Sequence, residues 1–192
     1  MKKKTLILLW PYKFRKFDYE RYELEELKKI YNYKIVIHEL IEFLYPHFKK
    51  AYSKKLLYKD TKKFKNLKDW SHEIKQTVLK NIKSNTIIIK HDIRGYTLNE
   101  FLINFELKKI NATLLEISGK GFPIYEGAIN IRNILSKIIN KIKNPSGFIF
   151  YLNKIFFTRI TKIFCQRKKI VIAGGMKKIN EAKFLQKNRI IK

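Results

Sequence analysis

At the ends of two apolar runs a histidine stands beside an acid: His38-Glu39, and His91-Asp92 with Arg94 two residues on. A histidine exchanges protons near neutral pH, and a neighbouring carboxylate can orient it or take the proton itself. An arginine holds an anion through two parallel hydrogen bonds. Glu39, His91 and Asp92 are therefore the candidate catalytic groups, with His38 and Arg94 as candidate binding groups. Glu39 could equally accept a ribose or sugar hydroxyl. Plain structural roles stand beside these readings, since Asp92 also fits a turn cap paired with Arg94 and Glu39 a simple structural hydrogen bond.

Two glycine-bearing loops suit an anion. Ser118-Gly119-Lys120-Gly121 frees its backbone amides at two glycines and adds a lysine charge, which is how a phosphate-holding nest is built. Gly174-Gly175, ahead of Met176-Lys177, offers a second place where a phosphate could meet a helix N-terminus. The alternatives are a flexible turn in the first case and tight strand-to-helix packing in the second. His38-Glu39-Leu40-Ile41-Glu42 imitates a zinc-protease string but has Glu42 where the second histidine belongs, with only His47 as a further ligand, so no metal is expected. Trp10-Pro11-Tyr12-Lys13 replaces a GxGxxG turn and no GxxxxGK[ST] occurs, so no nicotinamide, flavin or other cofactor is expected.

These groups need a frame, and five short apolar runs supply it: Thr5–Trp10, Tyr33–His38, Thr86–Lys90, Ala112–Ile117 and Ile170–Ala173. Most are separated by stretches with helical periodicity. That alternation predicts an α/β fold: a Rossmann-like, doubly wound, mainly parallel sheet of five or six strands. Helices are expected from about Tyr19 to Tyr31 with Asp18 as N-cap, at Ile41–Phe48 in short or irregular form, and from Asp69 or Ser71 to Ile82. The last of these should bury Trp70, Ile74, Val78 and Leu79. A further helix follows a Thr97/Glu100 capping box. Ala51–Lys68 reads as a surface excursion. Between the fourth and fifth runs lie a helix at Ala128–Ile142, a break at Asn144-Pro145-Ser146-Gly147 and an extra helix to Phe164. A short helix at Asn180–Gln186 and the first residues of a sixth strand at Arg189–Ile191 close the sequence, so residues 1–192 read as one α/β domain that stops inside a strand. Ligands of such sheets bind beyond the carboxyl ends of the strands. Trp10, His38, Glu39, His91, Asp92, Arg94, Ser118, Gly119 and Gly174 are therefore expected to border one cleft.

A chain of 192 residues with 45% hydrophobic residues has the material for one real core. The single cysteine, Cys165, excludes an intramolecular disulfide framework and a CxxC metal knuckle. Met1-Lys2-Lys3-Lys4 before Thr5–Trp10 imitates a signal peptide, but the apolar part is too short and Pro11-Tyr12-Lys13-Phe14-Arg15 is no cleavage site. The formal charge is +27, with sixteen Lys and Arg against one acid, Glu181, from Gly127 onward. The excess of Lys, Ile, Asn, Tyr and Phe fits an AT-rich coding bias, which explains the shortage of acids less easily. Such a charge favours anionic partners: lipid headgroups, nucleotide diphosphates or nucleic acid. Phe148–Phe164 is apolar on one side and carries Lys154, Thr158, Arg159, Thr161 and Lys162 as a basic stripe. A Phe-rich helix of this kind can lie in an anionic membrane interface. The expected membrane contacts are Phe148, Lys154, Phe156, Phe157, Arg159 and Lys162, with Lys141, Lys143, Lys168 and Lys169 nearby. The alternative is a helix packed on the sheet with its lysines outward.

Leu6–Phe14 with Asp18, Arg21 and Glu23, then Tyr33–Leu40, and Ile172-Ala173-Gly174-Gly175 near the end resemble bacterial surface-polysaccharide (O-antigen and capsule) biosynthesis proteins of glycosyltransferase-like type. The resemblance touches about the first 50 residues and the last 25. It implies a role in glycan assembly on the cytoplasmic side of the inner membrane: one lobe of an enzyme handling a nucleotide-sugar or another phosphorylated small molecule. It also implies proteins longer than this one, and so a second protein lobe as partner. The competing reading is a non-enzymatic basic module for nucleic acid or another polyanion. Few arginines and no helix-turn-helix, zinc finger or RNA-recognition motif count against it.

Overall fold

The computed structural model describes residues 4–46, 58–80, 86–93, 95–118, 145–166 and 170–173. Six strands form one sheet: β1 (Lys4–Trp10), β2 (Tyr33–Glu39), β3 (Thr61–Lys63), β4 (Thr86–His91), β5 (Thr113–Ser118) and β6 (Ile170–Ala173). Their order is β3-β2-β1-β4-β5-β6, and every neighbouring pair is parallel. Helices α1 (Lys16–Arg21), α2 (Leu24–Lys29), α3 (Ile41–Leu44), α4 (Leu67–Lys80), α5 (Leu98–Lys108) and α6 (Pro145–Phe164) lie between strands. This is the doubly wound Rossmann-like architecture expected from the apolar runs.

Strand β1 is central because its Leu6-Ile7-Leu8-Leu9-Trp10 run is apolar on both sides, as a strand covered on both faces must be. Ile7 and Leu9 join Ile88, Trp70, Ile74 and Ile103 in one core beneath α4 and α5. Leu6, Leu8 and Trp10 join Phe14, Tyr19, Leu24, Ile35 and Ile37 in the other, beneath α1 and α2. The strand period of two therefore assigns each strand residue to a face.

The structure corrects several local expectations. The excursion at Ala51–Lys68 contains β3, a three-residue edge strand that pairs Ile37 with Thr61 and Glu39 with Lys63. The helix expected over Tyr19–Tyr31 is two helices, because Glu23 takes a left-handed φ of 49° and breaks the ladder. Asp18 is not the N-cap. It stands one turn in and accepts the Arg15 N–H at 3.0 Å. On α4, Trp70, Ile74 and Val78 are buried, but Leu79 is exposed. Thr97 caps α5 through the Glu100 N–H, while the Glu100 carboxylate turns to the amides of Gly95 and Tyr96, so only half of the capping box forms. Helix α6 starts at Pro145, inside the expected break. Ala128–Ile142, Asn180–Gln186 and Arg189–Ile191 lie outside the described residues.

Candidate functional site

The strand order reverses between β1 and β4, whose next strands run to opposite sides, and such a switch point opens a crevice at the carboxyl ends. Parallel register sets Trp10 beside Glu39, Glu39 beside Lys63, and His91 beside Ile117, so Trp10, Glu39, Lys63, His91 and Ser118 end at one edge.

Two buried carboxylates hold the loops of this edge. Glu39 Oε2 accepts the Phe14 N–H at 2.9 Å and its Oε1 lies 4.0 Å from Lys63 Nζ. This ties the loop after β1 to the end of β2 in the absence of any glycine. Glu100, at the start of α5, accepts the Gly95 and Tyr96 N–H groups at 2.8 and 2.9 Å, and the Tyr45 hydroxyl donates to its other oxygen at 3.2 Å. Asn99 donates to the Phe43 carbonyl at 2.6 Å and joins the first turn of α5 to α3. Charge-assisted bonds of this kind are strong where water is excluded.

Aromatic rings line the edge between these anchors. Trp10 and His91 lie 4.3 Å apart at a 32° tilt across the switch point, and Tyr22 meets both edge-on. Tyr12 and Tyr45 stack at 5.8 Å with only 11° between their planes, and Tyr12 is 46% exposed. Burial and the Glu100 carboxylate push the Tyr45 phenol well above its ordinary range, and burial raises that of Tyr22, so both stay protonated donors. Lys13 is buried in the same loop. Asp92 holds a left-handed φ of 50° just past β4, and its N–H donates to the Ile117 carbonyl at 3.3 Å. Asp tolerates that conformation better than most residues, and such strain gathers at functional loops.

The candidate residues thus separate. His91 and Asp92 sit at the switch point, and Ser118 ends the neighbouring strand. Glu39 is at the edge but is 2% exposed and engaged with Phe14, which places it as the shaper of the loop. His38 does not reach the cleft. The strand alternation turns it to the α4 side, where it is fully buried with its ring 4.8 Å from Phe64. Burial, aided by Lys62 and opposed by Glu73, lowers its pKa to about 3, so it is neutral. Arg94, Gly119, Lys120, Gly121, Gly174 and Gly175 lie outside the described residues. Tyr12, Tyr22, Tyr45 and Glu100 are new to the site; the Trp10-Pro11-Tyr12 string directly after a strand was the one signal that could have pointed to Tyr12.

Among the described residues, no three His, Cys, Asp or Glu side chains converge as a metal site would require. His91 and Asp92 follow one another at the end of β4, with the His91 ring against Trp10 and Tyr22. Comparison of the chain with family models, with curated proteins and with solved structures gives no match.

Proposed function

We propose that the carboxyl edge between β1 and β4 binds a nucleotide-sugar, and that the protein acts in glycan assembly as one lobe of a glycosyltransferase-like enzyme. The observation that carries this reading is the Tyr12–Tyr45 stack, with Tyr12 exposed and Tyr45 partly buried, beside the Trp10–His91 pair at the switch point of a Rossmann-like sheet. Flat rings bind bases and sugar faces by stacking, and the chain's charge of +27 favours a diphosphate. In this reading His91 and Asp92 position or activate an acceptor hydroxyl. Glu39 and Glu100 keep the two loops in shape, which reduces the ordering cost of binding.

Trp10 lies in this site and Trp70 in the opposite core, so intrinsic fluorescence reports on one of two tryptophans. Titration with a panel of nucleotide-sugars should give a saturable change in the native protein and in Trp70→Phe, and a much weaker one in Tyr12→Ala. Folded protein that saturates with no member of the panel would refute the reading. Salt-resistant, sequence-selective binding of nucleic acid would move the assignment to a polyanion-binding module.

A further inference from the structure

Helix α6 meets the domain along a mostly polar seam. Lys154 Nζ stands 4.3 Å above the Tyr96 ring, Thr161 presses on Gly95, and Cys165 lies 3.9 Å from the Phe101 carbonyl. Phe157, 6.4 Å from Phe101, and the partly buried Ile160 are apolar members of this side of the helix. The basic stripe expected from the sequence is therefore divided: Lys154, Thr158 and Thr161 turn toward the domain, whereas Arg159 and Lys162 are exposed.

Most of the other apolar residues turn outward. Leu152, Phe156 and Ile163 are 48%, 57% and 66% exposed, and Phe148, Ile149 and Phe164 are exposed with them. Arg159 follows Leu152 by seven residues and Phe156 by three, so it shares their side of a 3.6-residue helix. Apolar faces of this extent mark interaction surfaces. A second copy is a poor occupant, because it would bring two chains of charge +27 together across a face that carries exposed cations. The helix itself contains no acid. No helix among the described residues is long and apolar enough to cross a membrane.

We propose that α6 lies in the plane of an anionic lipid surface, with Leu152, Phe156 and Ile163 at the headgroup–acyl boundary and Arg159 and Lys162 reaching lipid phosphates. The loop that follows His91 and begins with Asp92 also receives α6 at Gly95 and Tyr96, so docking sets the carboxyl edge beside the bilayer. The proposal does not depend on the nucleotide-sugar reading, because vesicle binding is measured without nucleotide.

Flotation with phosphatidylcholine–phosphatidylglycerol vesicles, against phosphatidylcholine alone, tests it on the full chain. The protein should float with the anionic vesicles only. Arg159→Glu with Lys162→Glu should weaken binding by roughly tenfold or more, and Phe156→Gln with Ile163→Gln by a comparable factor, both with unchanged circular dichroism. Leu152→Trp should give tryptophan emission that shifts to the blue on anionic vesicles. No flotation, or a Phe156/Ile163 variant that floats like the native chain, would overturn the proposal. So would a dimer in solution that these substitutions dissociate, since the occupant would then be a second copy.

Discussion

Helix α5 buries Ile103 and Leu107 and even takes the polar Glu100 and Asn104 out of water, whereas its neighbour α6 buries none of its described side chains and leaves Ile163 two-thirds exposed. The buried polar groups of α5 are partnered. Glu100 accepts from two amides and the Tyr45 hydroxyl, and Asn104 bonds both Lys90 Nζ at 2.7 Å and the Glu100 carbonyl at 2.8 Å. Lys90 in turn meets Glu116, its register partner on β5, at 3.2 Å. Burial of polar groups is tolerated when every group is satisfied, so α5 is an integral part of the folding core. Helix α6 contributes a surface.

The largest test of this contrast is Ile103→Ala. Ile103 is fully buried between α5 and the sheet, and truncation leaves a cavity as well as losing apolar burial. The expected cost is about 2–5 kcal/mol, read as a lower urea midpoint with an unchanged slope. A cost near zero would place α5 outside the cooperative unit.

What was legible in the sequence follows the same division. Strands β1, β2, β4, β5 and β6 were visible because buried strands must be apolar and β-branched. Strand β3 was not, because Thr61-Lys62-Lys63 is an edge of three polar residues held by register alone. The amphipathic character of α6 was visible too, but periodicity separates two faces without saying which one turns inward. The candidate site was legible to the extent that strand ends are. His91 and Asp92 follow from the end of β4. The engagement of Glu39 with the Phe14 amide spans 25 residues, and the Tyr12–Tyr45 stack joins two loops, so neither has a local signature. His38 differs from Glu39 by one position, and the strand alternation sends the two to opposite faces.

Gly95→Ala is the next largest effect and acts at the junction of the two helices. Gly95 has a φ of +83°, and an added Cβ would press into Thr161, 2.8 Å from its Cγ2. Left-handed strain alone costs about 1–2 kcal/mol. Because α6 buries little, the clash should be relieved by displacing α6 from the β4–α5 loop. Hydrogen exchange should quicken in Lys154–Cys165 and stay slow in β1 and β4. Uniform quickening across the sheet would mean that α6 is coupled to the core.

A smaller, pH-dependent effect belongs to His38. Neither ring nitrogen has a hydrogen-bond partner among the described residues, and its pKa is lowered to about 3. In the unfolded chain the value is about 6.5. Below about pH 6.5 the unfolded state binds the extra proton, so this stability is present above that pH and is lost as pH falls toward the folded value. The limiting slope is about 1.4 kcal/mol per pH unit. His38→Leu should flatten the acid limb of stability against pH by one proton, measured from urea midpoints at several pH values. Parallel curves for the two proteins would show that His38 does not titrate in this way.

Ile163→Ala is the matched partner of Ile103→Ala and should have the smallest effect on folding. The side chain is 66% exposed, so truncation removes little buried area and leaves no cavity. Alanine also favours helix over isoleucine by a few tenths of a kcal/mol. The folding free energy should stay within about 0.5 kcal/mol of the native value. The same substitution should still reduce flotation with anionic vesicles, because the lost methyl groups are those proposed to enter the lipid boundary. Together the two isoleucines separate the roles of adjacent helices: one substitution changes stability, the other changes lipid binding. A folding cost above about 1 kcal/mol for Ile163→Ala would show that this face is covered within the domain, since exposed substitutions do not reach that size.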